Sequence, residues 1–126
     1  METREILIVD DDVATLKMLE RLLMRAGYSV IPLSLGKEAI RVAKERTPDL
    51  VILDIMMPDM DGGEVANILK SEPETKNIPI IFLSSLIKKN EEKGSSRRDG
   101  IYLISKPFER EELLRQVENY CKNNSG

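Results

Sequence analysis

The chain has 126 residues, 19 Lys and Arg against 22 Asp and Glu, and neither histidine nor tryptophan. That length suits one domain, and a net charge of −3 gives no electrostatic footing on nucleic acid or an anionic membrane surface. The missing histidines exclude Ser-His-Asp triads, Cys-His pairs, His-ligated zinc and a phosphohistidine on this chain, no apolar run approaches the ~18 residues of a membrane span, and the lone Cys121 allows no internal disulfide and suits a reducing cytoplasm.

Ile6-Leu7-Ile8-Val9 opens the chain as a short branched apolar run, the mark of a strand covered on both faces. Residues 13–26 then space Leu16, Leu19, Leu23 and Ala26 as one helical face, and Gly27 stands where a helix cap belongs. Tyr28 to Leu33 reads as a strand. Pro32 has no N–H for a ladder, so this strand belongs at a sheet edge. Residues 36–46 predict a helix buried through Ala39, Ile40, Val42 and Ala43 and stopped by Thr47-Pro48. Leu50-Val51-Ile52-Leu53 is a second buried strand, and Gly62 to Ser71 a short helix facing inward through Val65, Ile68 and Leu69.

Ile80-Ile81-Phe82-Leu83 and Ile101-Tyr102-Leu103-Ile104 are further strands, and Glu109 to Cys121 a closing helix. Between them, residues 86–100 carry almost nothing apolar beyond Leu86 and Ile87, and Gly94-Ser95-Ser96 is poor helix material. A short or irregular fourth helix followed by loop is expected there. The pattern as a whole predicts a doubly wound α/β fold: five parallel strands, right-handed crossovers, and about five helices on two faces. Residues 1–122 form the expected domain, and 123–126 a polar tail with no output domain after it.

The residues just past each strand carry the chemistry. Asp10, Asp11 and Asp12 come after the first, Asp54 after the third, Ser84 and Ser85 after the fourth, Ser105 and Lys106 after the last. In a parallel sheet these ends share one rim, where open α/β folds bind ligands. Crowded carboxylates repel unless a cation joins them. An all-oxygen donor set suits Mg²⁺, which binds one or two carboxylates and keeps sites for phosphate oxygens. Metal, lysine and hydroxyl together suit the charge of a transferring phosphoryl group. With no histidine and no glycine-rich phosphate loop, a strand-end aspartate is the natural nucleophile.

Four segments carry a resemblance: Ile-Leu-Ile-Val-Asp-Asp-Asp (6–12), Pro-Asp-Leu-Val-Ile-Leu-Asp-Ile-Met-Met-Pro-Asp-Met-Asp-Gly (48–62), Ile-Pro-Ile-Ile-Phe-Leu-Ser-Ser (78–85) and Ser-Lys-Pro-Phe (105–108). In this order and spacing, across residues 5–121, the chain resembles the response-regulator receiver domain of bacterial two-component signalling. The resemblance implies a flavodoxin-like sheet of order 2-1-3-4-5, Asp54 as phosphoacceptor, and Mg²⁺ (Mn²⁺ as substitute) held by Asp10, Asp11, Asp54 and the Met56 carbonyl. It implies that Ser84 moves onto the phosphoryl group, that Lys106 pairs with it, and that the bond before Pro107 is cis. It further implies a cytoplasmic phosphoprotein that takes its phosphoryl group from a histidine kinase or phosphotransfer protein, dephosphorylates itself slowly, and is otherwise no enzyme. Leu103 departs from the pattern, since most receivers carry an aromatic there; Tyr102, one residue away, faces the other side of the strand.

The other polar residues have plainer readings. Asp12 suits the N-cap of the first helix, Ser85 the start of the next, and Asp59 and Asp61 the turn before Gly62. Cys121 and the side chains of Met56, Met57 and Met60 suit packing. A phosphohydrolase of the haloacid dehalogenase type also uses a strand-end aspartate. Its Asp-x-Asp-x-Thr signature fails here, where residues 10–14 read Asp-Asp-Asp-Val-Ala. A degenerate receiver used only for binding would not retain Asp10, Asp11, Asp54, Ser84 and Lys106 together.

Overall fold

The apolar runs become the inner strands of one sheet. The structure, a computed structural model, describes residues 3–84, 95–98 and 101–124. The elements are β1 (Glu5–Val9), α1 (Val13–Arg25), β2 (Ser29–Leu33), α2 (Gly36–Arg46), β3 (Leu50–Asp54), α3 (Gly62–Ser71), β4 (Ile80–Ser84), β5 (Ser95–Arg98), β6 (Ile101–Ser105) and α4 (Arg110–Asn124). The sheet order is β2-β1-β3-β4-β6-β5. The first five strands in that order are mutually parallel, as expected from the sequence. β2 lies at an edge, where Pro32 costs no inner ladder bond.

One expectation is corrected. Residues 95–98, read from sequence as loop, form β5, which pairs antiparallel with β6 from Ser95↔Ile104 to Arg98↔Ile101. The strand offers no apolar alternation, so its pairing rests on the backbone groups of β6. Asp99-Gly100, a dipeptide favoured between hairpin strands, is the sequence sign of it. The short helix expected earlier in this segment lies outside the described residues.

Alternating residues of each strand feed two cores. On one face Ile6, Ile8, Leu50, Ile52, Ile81, Leu83, Tyr102 and Ile104 pack against α1 and α4 through Leu19, Leu23, Leu113 and Val117. On the other, Leu7, Val9, Val51, Leu53 and Ile80 meet α2 and α3 through Ala39, Ala43, Val65 and Leu69. β3 is buried along its whole length, and each such large side chain contributes roughly 1.5–3 kcal/mol. Leu103 lies on the face opposite Tyr102, whose ring meets Tyr120 edge-on at 5.0 Å. α1 ends at the predicted glycine. Gly27 takes φ +101°, and the Gly27 and Tyr28 N–H groups donate to the Met24 and Leu23 carbonyls, closing a Schellman motif.

The strand ends are held by close backbone packing. Gly62, the first residue of α3, donates to the Ile55 carbonyl at 2.7 Å. A Cβ at Gly62 would stand 2.4 Å from the Asp54 carbonyl oxygen and 2.8 Å from Ile55 Cα, atoms that cannot swing aside. Gly62→Ala is therefore expected to lower stability by about 1–3 kcal/mol or more in urea unfolding. Gly63→Ala, whose Cβ meets nothing nearer than 3.9 Å, is the control that leaves stability unharmed.

Candidate functional site

The rim at the C-terminal ends of β1, β3, β4 and β6 gathers the predicted residues. Asp10 follows β1 and is 1% exposed, while Asp54 closes β3 at 8%. Asp11 is exposed beside them. Lys106, from the turn after β6, reaches back 96 positions in sequence, its Nζ 3.0 Å from Asp10 Oδ2 and 3.7 Å from Asp54 Oδ1. Ser84 is buried at the end of β4, and its carbonyl accepts from Lys106 N–H at 2.8 Å, which ties the hydroxyl-bearing and lysine-bearing ends together. The Lys106–Pro107 bond is cis. The Met56 N–H donates to the Asp54 carboxylate, and Met56 lines an open pocket of about 710 Å³ with Asp11, Ile55, Met57, Pro58 and Asp61.

This crowding shapes the electrostatics. Burial first, then the charge of Asp10, raises the Asp54 carboxyl to about 6; Lys106 and the Met56 N–H offset part of the rise, and Asp11 adds to it. For Lys106, burial disfavours the ammonium, but the hydrogen bond and charge of Asp10, with Asp54 beyond, outweigh it and raise the group above its usual value. The lysine is thus a fixed cation facing more than one anion.

Asp12 occupies the N-cap position of α1. Its carbonyl accepts from Leu16 N–H at 3.0 Å, its carboxylate takes the Thr15 hydroxyl at 2.5 Å, and its own N–H donates to Asp10 Oδ1 at 2.9 Å. Asp61 caps α3 by accepting from Gly63 N–H. Cys121 is a packing residue in the α1–α4 core, where burial drives its thiol up to about 12.

Asp59 does more than the turn role read from sequence. Its two oxygens accept from Gly36 N–H at 3.0 Å and Lys37 N–H at 3.1 Å, so a loop residue caps the distant helix α2. Those bonds hold its carboxyl below the usual value. The available sign was Leu35, which sits at the N-cap of α2 with no acceptor in its side chain.

Residues 6–118 match the family described as the response regulator receiver domain. The chain belongs to that family. Receiver relatives of known name include the polar-differentiation response regulator DivK of Brucella ovis, 30% identical over 118 residues that cover 94% of this chain and 96% of the relative. A putative response regulator from Chloroflexus aurantiacus superposes with TM-score 0.82 at 31% identity, covering 96% of this chain and 99% of that one. The receiver domain of a sensor histidine kinase from Pseudomonas aeruginosa PAO1 superposes with TM-score 0.81 at 26% identity, over 96% of this chain and 99% of the other. That structure holds a magnesium ion in its active-site cleft.

The donor set of the present receiver fits such an ion. Asp10, Asp11 and Asp54 offer carboxylate oxygens within 4.8 Å of one another. Six-coordinate Mg²⁺ with bonds of ~2.1 Å spans that separation after small side-chain adjustment. No helix among the described residues is long and apolar enough to cross a membrane.

The raised Asp54 value has a measurable consequence. An acid whose folded value lies above its ordinary 3.8 favours the native state while protonated, and that advantage is lost as pH rises through about 6. Without divalent cations, Asp54→Asn should therefore raise stability above pH 6, on the order of 1–2 kcal/mol after allowance for solvent screening. The gain should vanish as pH falls towards 3.8. Thermal melts of both proteins across this range check it; a lower Tm for the variant at neutral pH contradicts the crowding.

Proposed function

We propose that this receiver accepts a phosphoryl group on Asp54 and thereby switches its binding to a partner protein. The observation that carries the reading is the convergence of three carboxylates at the strand ends, two of them paired with one lysine. A phosphohistidine on a histidine kinase or phosphotransfer protein in the cytoplasm is the donor. An Asp54 carboxylate oxygen forms the new bond to phosphorus as the phosphorus–nitrogen bond breaks, and its electron pair stays on the imidazole. This demands an ionised Asp54, which the Lys106 charge and the Met56 N–H favour.

Asp10, Asp11, Asp54 and the Met56 carbonyl would hold Mg²⁺, or Mn²⁺ in its place. The ion supplies positive charge against the phosphoryl oxygens. Lys106, 3.7 Å from Asp54 Oδ1, would meet the same charge with its ammonium. Ser84, at the end of the neighbouring strand, donates its hydroxyl to the transferred group. Slow attack by water on the acyl phosphate returns the free carboxylate. With Leu103 on the strand and Tyr102 packed on Tyr120, the readout runs through movement at Ser84 and not through an aromatic side chain at position 103.

Incubation with Mg²⁺ and acetyl phosphate should add the mass of one phosphoryl group, and Asp54→Asn should abolish the gain. Lys106→Ala should slow labelling by about 10- to 150-fold, the rate equivalent of the roughly 1.5–3 kcal/mol of a charge-assisted hydrogen bond. Undiminished labelling of Asp54→Asn would place the phosphoryl group elsewhere.

A further inference from the structure

We propose that Asp59 is a positioning residue for the cation-binding loop: by capping α2 it latches the chain that carries the Met56 carbonyl. The inference rests on the function proposed above and concerns how its metal site is held in shape.

Residues 55–61 join Asp54 to α3. Both ends of this loop are fixed. Ile55 donates to the Leu83 carbonyl at 3.3 Å, and Gly62 donates back to the Ile55 carbonyl at 2.7 Å. Exposed Met56 is held on its N–H side by the Asp54 carboxylate, and on its C-terminal side the outer part of the loop is anchored by Asp59. Its carboxylate bridges to Gly36 and Lys37, the first two residues of α2, across 23 and 22 positions in sequence. A helix start exposes N–H groups and the positive end of its dipole, so a carboxylate is the matched partner.

The fit is built from both sides. Leu35 leaves the N-cap of α2 without a side-chain acceptor, so those N–H groups depend on the loop. Gly36 lets the helix start close in. A Cβ there would stand 3.1 Å from Met60 Cβ and from Val65 Cγ2, and 3.4 Å from Met57 Cε. The loop and α2 are therefore pressed together by packing and locked by a two-pronged hydrogen bond. Releasing Asp59 leaves the carboxylates of Asp10, Asp11 and Asp54 where their strands put them, but lets the Met56 carbonyl sample other positions. Apparent cation affinity then falls in proportion to the fraction of molecules with the loop in place.

The test separates latch from mere helix cap. Mg²⁺ binding is measured by titration calorimetry, and the Mg²⁺ dependence of acetyl-phosphate labelling beside it, for wild type, Asp59→Ala and Asp59→Ala/Leu35→Asp. The double variant gives α2 an acceptor of its own but no tether to the loop. Asp59→Ala should weaken Mg²⁺ binding about three- to tenfold, while labelling at saturating Mg²⁺ stays near the wild-type rate. The double variant should recover Tm and keep the weakened Mg²⁺ binding. Unchanged Mg²⁺ affinity in Asp59→Ala, or affinity that returns together with Tm in the double variant, overturns the latch. A wild type that binds no Mg²⁺ overturns the proposed function itself, and the latch with it.

Discussion

A single ammonium group holds the rim of this sheet together. Lys106 lies 3.0 Å from Asp10 and 3.7 Å from Asp54, two carboxylates that are almost completely buried. Buried like charges repel strongly, and one fixed cation makes their proximity tolerable without removing the strain. The remaining imbalance is negative, which is the charge that a second cation would complement. The rest of the fold serves this arrangement. Parallel strands bring their C-terminal ends to one side, and two apolar cores keep those ends from drifting.

Much of this was legible in the residues. Unbroken apolar runs at 6–9, 50–53 and 80–83 require cover on both faces, and the structure has helices on both. Pro32 marked an edge strand, and Gly27 marked the end of α1. The convergence of Asp10, Asp54 and Lys106 followed from strand ends alone, because parallel pairing leaves them nowhere else to go.

The features that escaped have a common cause. The β5 strand carries no side-chain pattern, since backbone pairing with β6 asks for none. Asp59 looked like a turn residue because its partners are 23 and 22 positions away, a distance that local rules for helix caps do not reach. Both misses are hydrogen bonds made to or by the backbone. Side-chain periodicity reports burial well and such bonds poorly.

The two outer strands also bear on how this chain behaves in a crowded solution. A sheet margin with free N–H and C=O groups is a template on which a second chain can add a strand. Here one margin is β2, interrupted by Pro32, which has no donor to offer. The other is β5, only four residues long and containing Arg97 and Arg98. Among the described residues proline brakes edge-to-edge growth at one margin, and shortness and charge at the other. The apolar, fully paired strands that would aggregate most readily are all on the inside.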